Sequence, residues 1–285
     1  MTITSDHIRL IPVSVDSIPK ASPELGTYLT DVVSEASTLI ETLVSPPKAP
    51  WSLNFNRSNK FGRVQISSRS HHIPERIEYW FARSSTHEVG DKRDNAKTTL
   101  MWCDFKNLLF HNHSENEREY GPSVIRVDRL GMDWDISNVN IPGWEVVQVA
   151  GYAVHHHLPW PFNSRVFPIL LILVSATDLE EFMVISLPIK ISSEIKAINT
   201  ETQQSVLVIN PKTTVGRYVS VERVTFQGPD TEGGKSQAIW KMATASDASG
   251  NIPMAIQRRV IGTSIFHDVE AFILYAMRNK AAKSR

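Results

Sequence analysis

Two predicted strands carry polar side chains at a spacing that could bring them together in a pocket. Residues two apart on a strand point to the same face of a sheet. If Glu145 faces water on the first strand, the opposite face takes Val146, Gln148, Ala150 and Tyr152. If Lys241 faces water on the second, the opposite face takes Trp240, Met242 and Thr244. A mostly apolar interior with a few directed polar groups is typical of a small-molecule site.

The polar members of this set are candidates for chemistry on a bound molecule. Fixed hydrogen-bond donors can polarise a carbonyl oxygen, and a carboxyl group that faces inward can act as acid or base. We predict six catalytic residues: Gln148, Tyr152, His155, Glu222, Trp240 and Thr244. The alternative for each is an ordinary core position whose hydrogen bonds are satisfied by the protein.

The histidines raise the question of a metal site. His155 and His157 stand two apart at the end of a predicted strand and could share a face. A zinc site needs three or four protein ligands, and no third ligand accompanies this pair. His113 lies near Glu115 and Glu117, which we interpret as a solvated face or a helix cap. We therefore predict no metal.

Nucleophilic and cofactor chemistry find no support in the sequence. Cys103 stands beside apolar residues, with no basic neighbour to lower the pKa of its thiol. The chain contains neither a Gly-x-Ser-x-Gly elbow nor a glycine-rich dinucleotide motif. Residues 232–236 lack the first glycine of a phosphate-binding loop and are predicted to form a hairpin turn. We predict no cofactor.

Composition and charge limit the partners. The 285 residues include 30 basic and 30 acidic ones, so no overall field attracts nucleic acid or an anionic membrane. Cys103 is the single cysteine and the N-terminus lacks a signal-peptide pattern, which predicts a cytoplasmic location. The most apolar run, residues 166–176, is too short to span a bilayer and is predicted to be a buried strand.

Hydrophobic spacing predicts helices at both ends of the chain and a sheet between them. Helical spacing is found in residues 23–44, 98–113 and 253–277, and the last of these has an apolar stripe wide enough to cover a sheet. Strands are predicted at residues 63–70, 77–83, 144–154, 166–176, 181–187, 216–226 and 238–245. Flexible spans are predicted at residues 88–97, 192–204 and 228–237.

Four separated phrases of the sequence resemble one family. They are Trp80-Phe-Ala-Arg83-Ser-Ser-Thr-His87, His113-Ser-Glu-Asn-Glu117 with Tyr120, Leu158-Pro-Trp-Pro-Phe-Asn-Ser-Arg165-Val-Phe-Pro168, and Met242-Ala-Thr-Ala-Ser-Asp247 with Asn251-Ile-Pro253. In this order, over residues 50–278, they resemble a fungal START-like family of largely unknown function. For Arg83, His87 and Arg165, we favour a structural role that ties the sheet together through ion pairs and backbone hydrogen bonds.

The resemblance implies an α+β helix-grip fold in a single domain over residues 1–285. Residues 1–50 would form a helical extension. Residues 51–280 would form the core, a curved antiparallel sheet wrapped around the long C-terminal helix and enclosing a hydrophobic cavity. As ligand-contacting residues we predict Phe81, Arg83, Trp102, Met242, Ile265 and Val269.

Two functions suit such a cavity, and both have a hydrophobic small molecule as partner. START-like proteins bind sterols, phospholipids or polyketides, and some relatives of the fold are cofactor-free cyclases. The first hypothesis is a cyclase or pericyclase that folds a polyketide or terpenoid intermediate of secondary metabolism, because holding reacting atoms at attack distance lowers the barrier without a nucleophile. The second is a lipid or sterol carrier, which would contact membranes, with the apolar loop 159–162 as the candidate insertion point.

Overall fold

The computed structural model describes seven stretches of the chain: residues 6–74, 76–90, 99–158, 162–191, 196–209, 213–229 and 234–283. Five predicted segments lie wholly or partly outside the described residues. They are the apolar loop 159–162, the hairpin turn at 232–236 and the flexible spans 88–97, 192–204 and 228–237. These stay predictions, except that residues 88–89, 196–199 and 236–237 of the flexible spans lie in strands of the sheet.

The described chain consists of short N-terminal elements, a large sheet and a long last helix. The helices are α1 (Glu24–Glu41), α2 (Trp102–Asp104, continued by the π-helical segment Phe105–Phe110), α3 (His113–Tyr120) and α4 (Met254–Lys283). The strands are β1 (Val13–Ser14), β2 (Ser52–Asn59), β3 (Gly62–Ile73), β4 (Arg76–Val89), β5 (Val124–Leu130), β6 (Trp144–His156), β7 (Arg165–Ala176), β8 (Glu181–Lys190), β9 (Lys196–Asn199), β10 (Ser205–Leu207), β11 (Thr214–Val215), β12 (Arg217–Gln227) and β13 (Ser236–Asp247). The predicted terminal helices and all seven predicted strands are confirmed.

Eleven of these strands follow one another in an antiparallel sheet. Their order is β10-β9-β5-β6-β7-β8-β12-β13-β4-β3-β2. The short strands β1 and β11 add parallel pairs to β8 and β7. Pairing of β13 with β4 sets Met242 opposite Arg83. Sequence phrases about 160 residues apart therefore become neighbours in the sheet.

Side chains of the sheet alternate between two separate cores. Trp240 and Val224 belong to the core that contains the apolar side of α4, which we call the inner face of the sheet. Ala243 and Val221 belong to the core that contains α1, on the outer face. Both faces of the central strands are therefore buried, which explains why residues 166–174 are almost all apolar.

Helix α1 and the segment before it cover the outer face. The helix buries seven residues at the predicted helical spacing: Leu25, Leu29, Val32, Val33, Ala36, Leu39 and Ile40. Ahead of α1, the Glu78 carboxylate accepts hydrogen bonds from the Leu10 backbone N–H at 2.8 Å and the Trp80 indole N–H at 3.1 Å. These bonds satisfy a carboxylate that is otherwise enclosed in the outer core.

Helix α4 lies against the inner face, as predicted. Its buried apolar residues form one stripe: Ile265, Val269, Phe272, Ile273 and Ala276. By length and composition α4 could also cross a membrane. Its contacts with β3, β4 and α3 show that it packs against the sheet in this fold.

A tightly held corner leads from β13 into α4. The Arg165 Nε donates to the Ala248 carbonyl at 2.6 Å. The Gln257 side chain accepts from the Ala248 backbone N–H at 2.8 Å and donates to the Ile252 carbonyl at 2.9 Å. Gly250 has a φ of +65°, and a Cβ there would lie 3.3 Å from the Arg165 guanidinium. Arg165 therefore has the structural role that the sequence favours.

The C-terminal part of α4 is fastened to α2. The Lys280 ammonium lies 2.5 Å from the Asp104 carboxylate and donates to the Thr99 carbonyl at 2.6 Å. Asp104 also accepts from the Met101 backbone N–H at 2.7 Å. Helix α4 is thus anchored at both ends.

A β-bulge in β6 corrects the predicted face of Val146. The pairing register with β7 shifts between Val146, opposite Val174, and Gln148, opposite Leu173. An extra residue in one strand reverses the alternation of side chains. Val146 consequently packs against the outer core, whereas Tyr152 belongs to the inner core. The prediction that Val146 shares a face with Gln148 is wrong.

Two predicted boundaries also differ from the structure. The break expected at His71 and His72 does not occur, because both residues continue the pairing of β3 with β4. The helix expected over residues 98–113 begins only at Trp102 and becomes π-helical from Phe105. Such π-helical turns are rare and often occur near functional sites.

Candidate functional site

A buried ion pair lies near the centre of the inner face. Arg83 on β4 approaches Glu222 on β12 to 3.2 Å, and the Trp240 indole N–H donates to the same Glu222 oxygen at 2.7 Å. The Arg83 guanidinium also lies 3.9 Å from the centre of the Trp240 ring and donates to the Ile265 carbonyl of α4 at 3.0 Å. These contacts compensate both buried charges and join the sheet to α4.

Aromatic rings enclose this ion pair. The Phe272 ring on α4 lies 5.3 Å from Trp240, 5.3 Å from Phe105 and 5.6 Å from Tyr120, measured between ring centroids. Phe105 comes from the π-helical segment and Tyr120 from the end of α3. The surroundings are therefore apolar, which strengthens electrostatic interactions among the charged groups inside.

Two further carboxyl groups face the same region. Burial raises the pKa of Glu117 on α3, and the nearby Glu222 raises it further, against the opposing effect of His113. Burial also raises the pKa of Asp268 on α4 to about 7; Arg83 opposes this rise, and the two glutamates add to it. Three carboxyl groups from three different elements are therefore close enough to influence one another.

Two of these carboxyl groups keep some accessible surface although the protein surrounds them. Glu117 and Asp268 are only half-buried by surface area, although burial is the main cause of their raised pKa values. Both observations hold if the accessible part of each side chain opens into the interior between the sheet and α4. Among the described residues, neither carboxyl group has a hydrogen bond to the protein. Both are available to a molecule that enters this space.

Two tyrosines and a threonine add hydroxyl groups to the same interior. Burial raises the pKa values of Tyr120 and Tyr218, and nearby carboxyl groups raise them further. The Tyr218 hydroxyl is hydrogen-bonded to Ser220 and Thr244. The Thr244 hydroxyl also donates to the Val219 carbonyl at 2.9 Å. Tyr120 and Tyr218 therefore stay neutral near pH 7.

A second polar group on the inner face contains two of the predicted residues. Gln148 Nε2 donates to the Tyr152 hydroxyl at 3.2 Å, and this hydroxyl donates to Glu115 at 2.9 Å. Burial, with Glu115 beside it, raises the pKa of Tyr152 to about 12. The interpretation of Glu115 and Glu117 as a solvated face is wrong, because both carboxyl groups turn toward the inner face.

Gln148 and the Arg83–Glu222 ion pair lie on the same row of residues across the sheet, but they do not touch. The register pairs follow the row Gln148, Leu173, Val184, Glu222, Met242 and Arg83. Since neighbouring strands lie about 4.8 Å apart, three strand spacings place Gln148 about 14 Å from Glu222. A molecule in contact with both groups would need to span four strands.

The other predicted ligand-contacting residues lie on the inner side of the sheet. Phe81, Met242, Ile265 and Val269 are buried in the inner core together with Trp240. Trp102, which is only partly buried, stacks on Phe182 and Phe226 with both centroid distances at 5.6 Å. The structure thus groups these residues, and their contact with a ligand stays a prediction.

His155 lies on the outer face, apart from the other predicted catalytic residues. Its Nε2 is 2.8 Å from Asp128, which also accepts from Asn199 at 3.1 Å and pairs with Arg126 at 2.6 Å. Despite burial, these hydrogen bonds hold the pKa of Asp128 below its ordinary value. The network links β5, β6 and β9. In the described stretches, no three His, Cys, Asp or Glu side chains are grouped to hold a metal.

An open cavity of about 660 Å³ lies beside the inner aromatic rings. Strands β3, β4 and β13 and the C-terminal half of α4 surround it, with His87, Phe61, Leu100 and Ile273 among its lining residues. The centroid of the His87 ring lies 6.2 Å from the centroid of the Phe105 ring. The volume falls within the range of about 300–1,000 Å³ that is usual for small-molecule sites.

His87 gives the protein an expected sensitivity to acid. Its Nδ1 donates to the Phe61 carbonyl at 3.1 Å, so Nε2 accepts from the Ser85 hydroxyl at 2.9 Å. Burial lowers the pKa of His87 from 6.5 to about 4. A lowered histidine pKa means that the unfolded state binds more protons between these values. We therefore expect His87 to lower the free energy of unfolding by roughly 3 kcal/mol as the pH falls from 6.5 to 4.

Urea unfolding of wild type and His87→Gln between pH 4 and 8 measures this contribution. The variant should lose stability less steeply below pH 6.5, and His267→Gln, which changes an exposed histidine on α4, should follow the wild type. Asp268 has the opposite effect on stability because its pKa is raised. Its contribution to the free energy of unfolding is present at low pH and is lost as the pH rises through about 7. The variant Asp268→Asn should therefore lose stability more steeply than the wild type as the pH falls. Parallel curves for His87→Gln and wild type would contradict the assignment.

Comparison with known protein families identifies the family of this chain. A family described as "Protein of unknown function (DUF3074)" matches residues 80–276, which is more than half of the chain. The chain belongs to the DUF3074 family. The matched segment contains both polar groups of the inner face, whereas α1, β2 and β3 lie before it. No curated protein is significantly similar in sequence.

Solved structures show which fold this DUF3074 member has. Human STARD10 superposes with a TM-score of 0.55 at 9% identity, covering 87% of this chain and 80% of that one. A STAR-related lipid transfer protein from Xanthomonas axonopodis gives 0.47 at 13% identity, covering 79% and 98%. The human StarD13 (DLC2) lipid transfer and protein localization domain gives 0.43 at 11% identity, covering 87% and 95%. The predicted START-like helix-grip fold is confirmed; a fungal source stays a prediction.

Sequence reasoning missed Glu117, Tyr120 and Asp268 as parts of the interior. One signal was present for Asp268, which stands three residues after Ile265 and four before Phe272, within the apolar stripe of α4. A carboxyl group at such a position is buried at a cost unless it has a role or a partner. Glu117 and Tyr120 stand in one of the four family phrases, but no local pattern indicates that α3 turns them toward the sheet.

Proposed function

We propose that this protein binds a hydrophobic small molecule with a polar head, between the sheet and α4. One observation carries the proposal: Glu117, Tyr120 and Asp268 lie close together between the sheet and α4, and none of their side chains has a hydrogen bond to another described residue. Enclosed polar groups in proteins normally have a partner. The polar head of a ligand would supply that partner, and its apolar body would pack on the rings of Phe272 and Trp240.

The composition of the inner face favours a small molecule of this kind over a purely apolar one. Arg83 and Glu222 neutralise each other and leave Glu117 and Asp268 as unpaired acceptors, or as donors when protonated. The START fold, with its sheet closed by a long helix, supports binding at this place. The proposal requires no cofactor, no metal and no nucleic acid.

Native mass spectrometry followed by organic extraction is the first experiment. The protein is expected to carry, or to take up, about one hydrophobic molecule per chain. In displacement of a fluorescent sterol probe, whose hydroxyl group can donate to a carboxylate, Asp268→Asn should bind about three- to tenfold more weakly, the usual effect of losing one hydrogen bond. Asp178→Asn, a substitution at an exposed loop position, should bind as the wild type does. A protein that is empty and takes up no probe would refute the proposal.

A second candidate function is a cofactor-free cyclisation in the same space, favoured by Asp268. A carboxyl group with a pKa of about 7 is partly protonated at neutral pH and can act as a general acid. With Tyr120 beside it, such a group could protonate or polarise an oxygen of a polyketide or terpenoid intermediate. Gln148 and Tyr152 would position the far end of the substrate.

The cyclase and carrier alternatives differ in what the bound molecule becomes. Incubation with linear polyketide or terpenoid precursors, followed by product analysis, should show turnover that Asp268→Asn abolishes and Tyr152→Phe slows while binding persists. Unchanged recovery of every precursor favours the carrier. In that case membrane contact is expected, and a cytoplasmic location suits both alternatives.

A further inference from the structure

A separate groove lies where the first turns of α4 pass over the edge of the sheet. Its volume is about 460 Å³, and β2, β3, β4 and α4 contribute its walls. None of the described residues that line it is acidic. Arg83, Glu222 and Asp268 are not among them, so the groove is distinct from the interior site.

The sheet side of the groove presents hydroxyl and amide groups. Ser52 pairs with Ser68, and Ser68 pairs with Phe81 of the inner core, so these side chains leave the sheet on the face toward α4. Ser70 pairs in the same way with Tyr79. The Ser68 hydroxyl donates to Asn54 Oδ1 at 2.7 Å. This bond leaves the Asn54 amide N–H groups free to donate to another acceptor.

The helix side of the groove presents two guanidinium groups. Arg258 lies with its Cζ 4.1 Å from the centre of the Tyr79 ring, which fixes the plane of the guanidinium while leaving its edge open. Arg259 follows it at the exposed start of α4. Within the described residues, neither arginine has a carboxylate in ion-pair distance. The positive end of the helix dipole adds charge of the same sign.

We propose that this groove binds a phosphate group, as a free ion or as the head of a phospholipid. Two arginines can hold phosphate oxygens through several parallel charge-assisted hydrogen bonds. The hydroxyls of Ser52 and Ser70 and the amide of Asn54 add neutral donors from the opposite wall. Phe81 belongs to the inner core and also lines the groove. The groove therefore has an apolar side against which an acyl chain could lie.

Calorimetry with inorganic phosphate and flotation with vesicles test the site. Wild-type protein should bind phosphate above a chloride control of matched ionic strength, or vesicles of phosphatidylcholine with phosphatidic acid above pure phosphatidylcholine, or both. The double variant Arg258→Ala/Arg259→Ala should bind at least about tenfold more weakly. Phosphate binding identifies a free ion as a sufficient ligand, and vesicle binding alone identifies a lipid head.

Two controls separate this site from general charge and from misfolding. Arg278→Ala removes an exposed arginine from the other end of α4 and should leave binding unchanged. Arg258→Lys/Arg259→Lys keeps both positive charges and should retain most vesicle binding. This variant keeps the proposal testable if the double alanine variant does not fold. Wild-type protein that binds neither probe, or a double alanine variant that binds as the wild type does, would overturn the proposal. Neither result affects the interior site, which is tested with hydrophobic probes.

Discussion

Replacing Arg83 with alanine is expected to lower the free energy of unfolding by about 3–5 kcal/mol. Arg83 is 1% exposed, and its removal leaves the Glu222 carboxylate buried without a counter-charge. The substitution also removes the stacking on Trp240 and the hydrogen bond to the Ile265 carbonyl of α4. Urea denaturation at pH 7 measures the loss. Since the same contacts hold α4 on the sheet, binding of hydrophobic probes should weaken as well.

A paired substitution separates the lone charge from the lost packing. Arg83→Met/Glu222→Gln removes both charges and keeps an acceptor for the Trp240 indole, so it should recover a large part of the stability. Arg118→Ala breaks partly exposed ion pairs with Glu119 and Glu201 and should cost less than about 1 kcal/mol. If Arg83→Ala lowered the free energy of unfolding by less than about 1 kcal/mol, the ion pair would be dispensable for stability.

Phe272→Ala should cost about 3–5 kcal/mol as well, for a different reason. The ring is fully buried and lies among Trp240, Phe105 and Tyr120. Its truncation leaves a cavity in the contact between α4 and the sheet that the rigid rings cannot refill. Thermal or urea unfolding measures the loss.

Two neighbouring substitutions on α4 calibrate the Phe272 result. Leu274→Ala changes an exposed leucine two residues away and should cost less than about 1 kcal/mol. Phe272→Leu keeps most of the volume and should cost less than the alanine variant. If Phe272→Ala were no more costly than Leu274→Ala, α4 would not be packed on the sheet as described.

The sequence predicts most of the fold because its signals are local. Alternation places Trp240 and Met242 together on the inner side of β13, and the apolar stripe identifies the face of α4 that contacts the sheet. The recurrent phrases around Arg83 and Met242 indicate the fold but not their direct pairing. That pairing depends on the return of β13 to β4, across about 150 residues of chain, which no local pattern records.

The errors in the site have two physical causes. One extra residue at the bulge in β6 shifts the side-chain alternation, so Val146 turns outward while Gln148 and Tyr152 face inward. The roles of Glu117 and His155 depend instead on tertiary contacts: α3 turns its carboxyl groups toward the sheet, and Asp128 draws His155 into the outer network. Charged residues at the surface of a short helix usually face water, so the sequence alone favours the wrong interpretation.

The anchoring of α4 at both ends gives it the mechanics of a lever. Twenty-six residue steps separate Met254 from Lys280, which at 1.5 Å each is about 40 Å. A rotation of ten degrees about the corner held by Arg165 would carry the Lys280 end through about 7 Å, while Gln257, close to the pivot, would move by less than about 1 Å. The contact between Lys280 and Asp104 therefore acts at the longest arm, where a small force has the greatest turning effect. A contact of a given strength at Lys280 therefore resists rotation of α4 more than the same contact near the corner would.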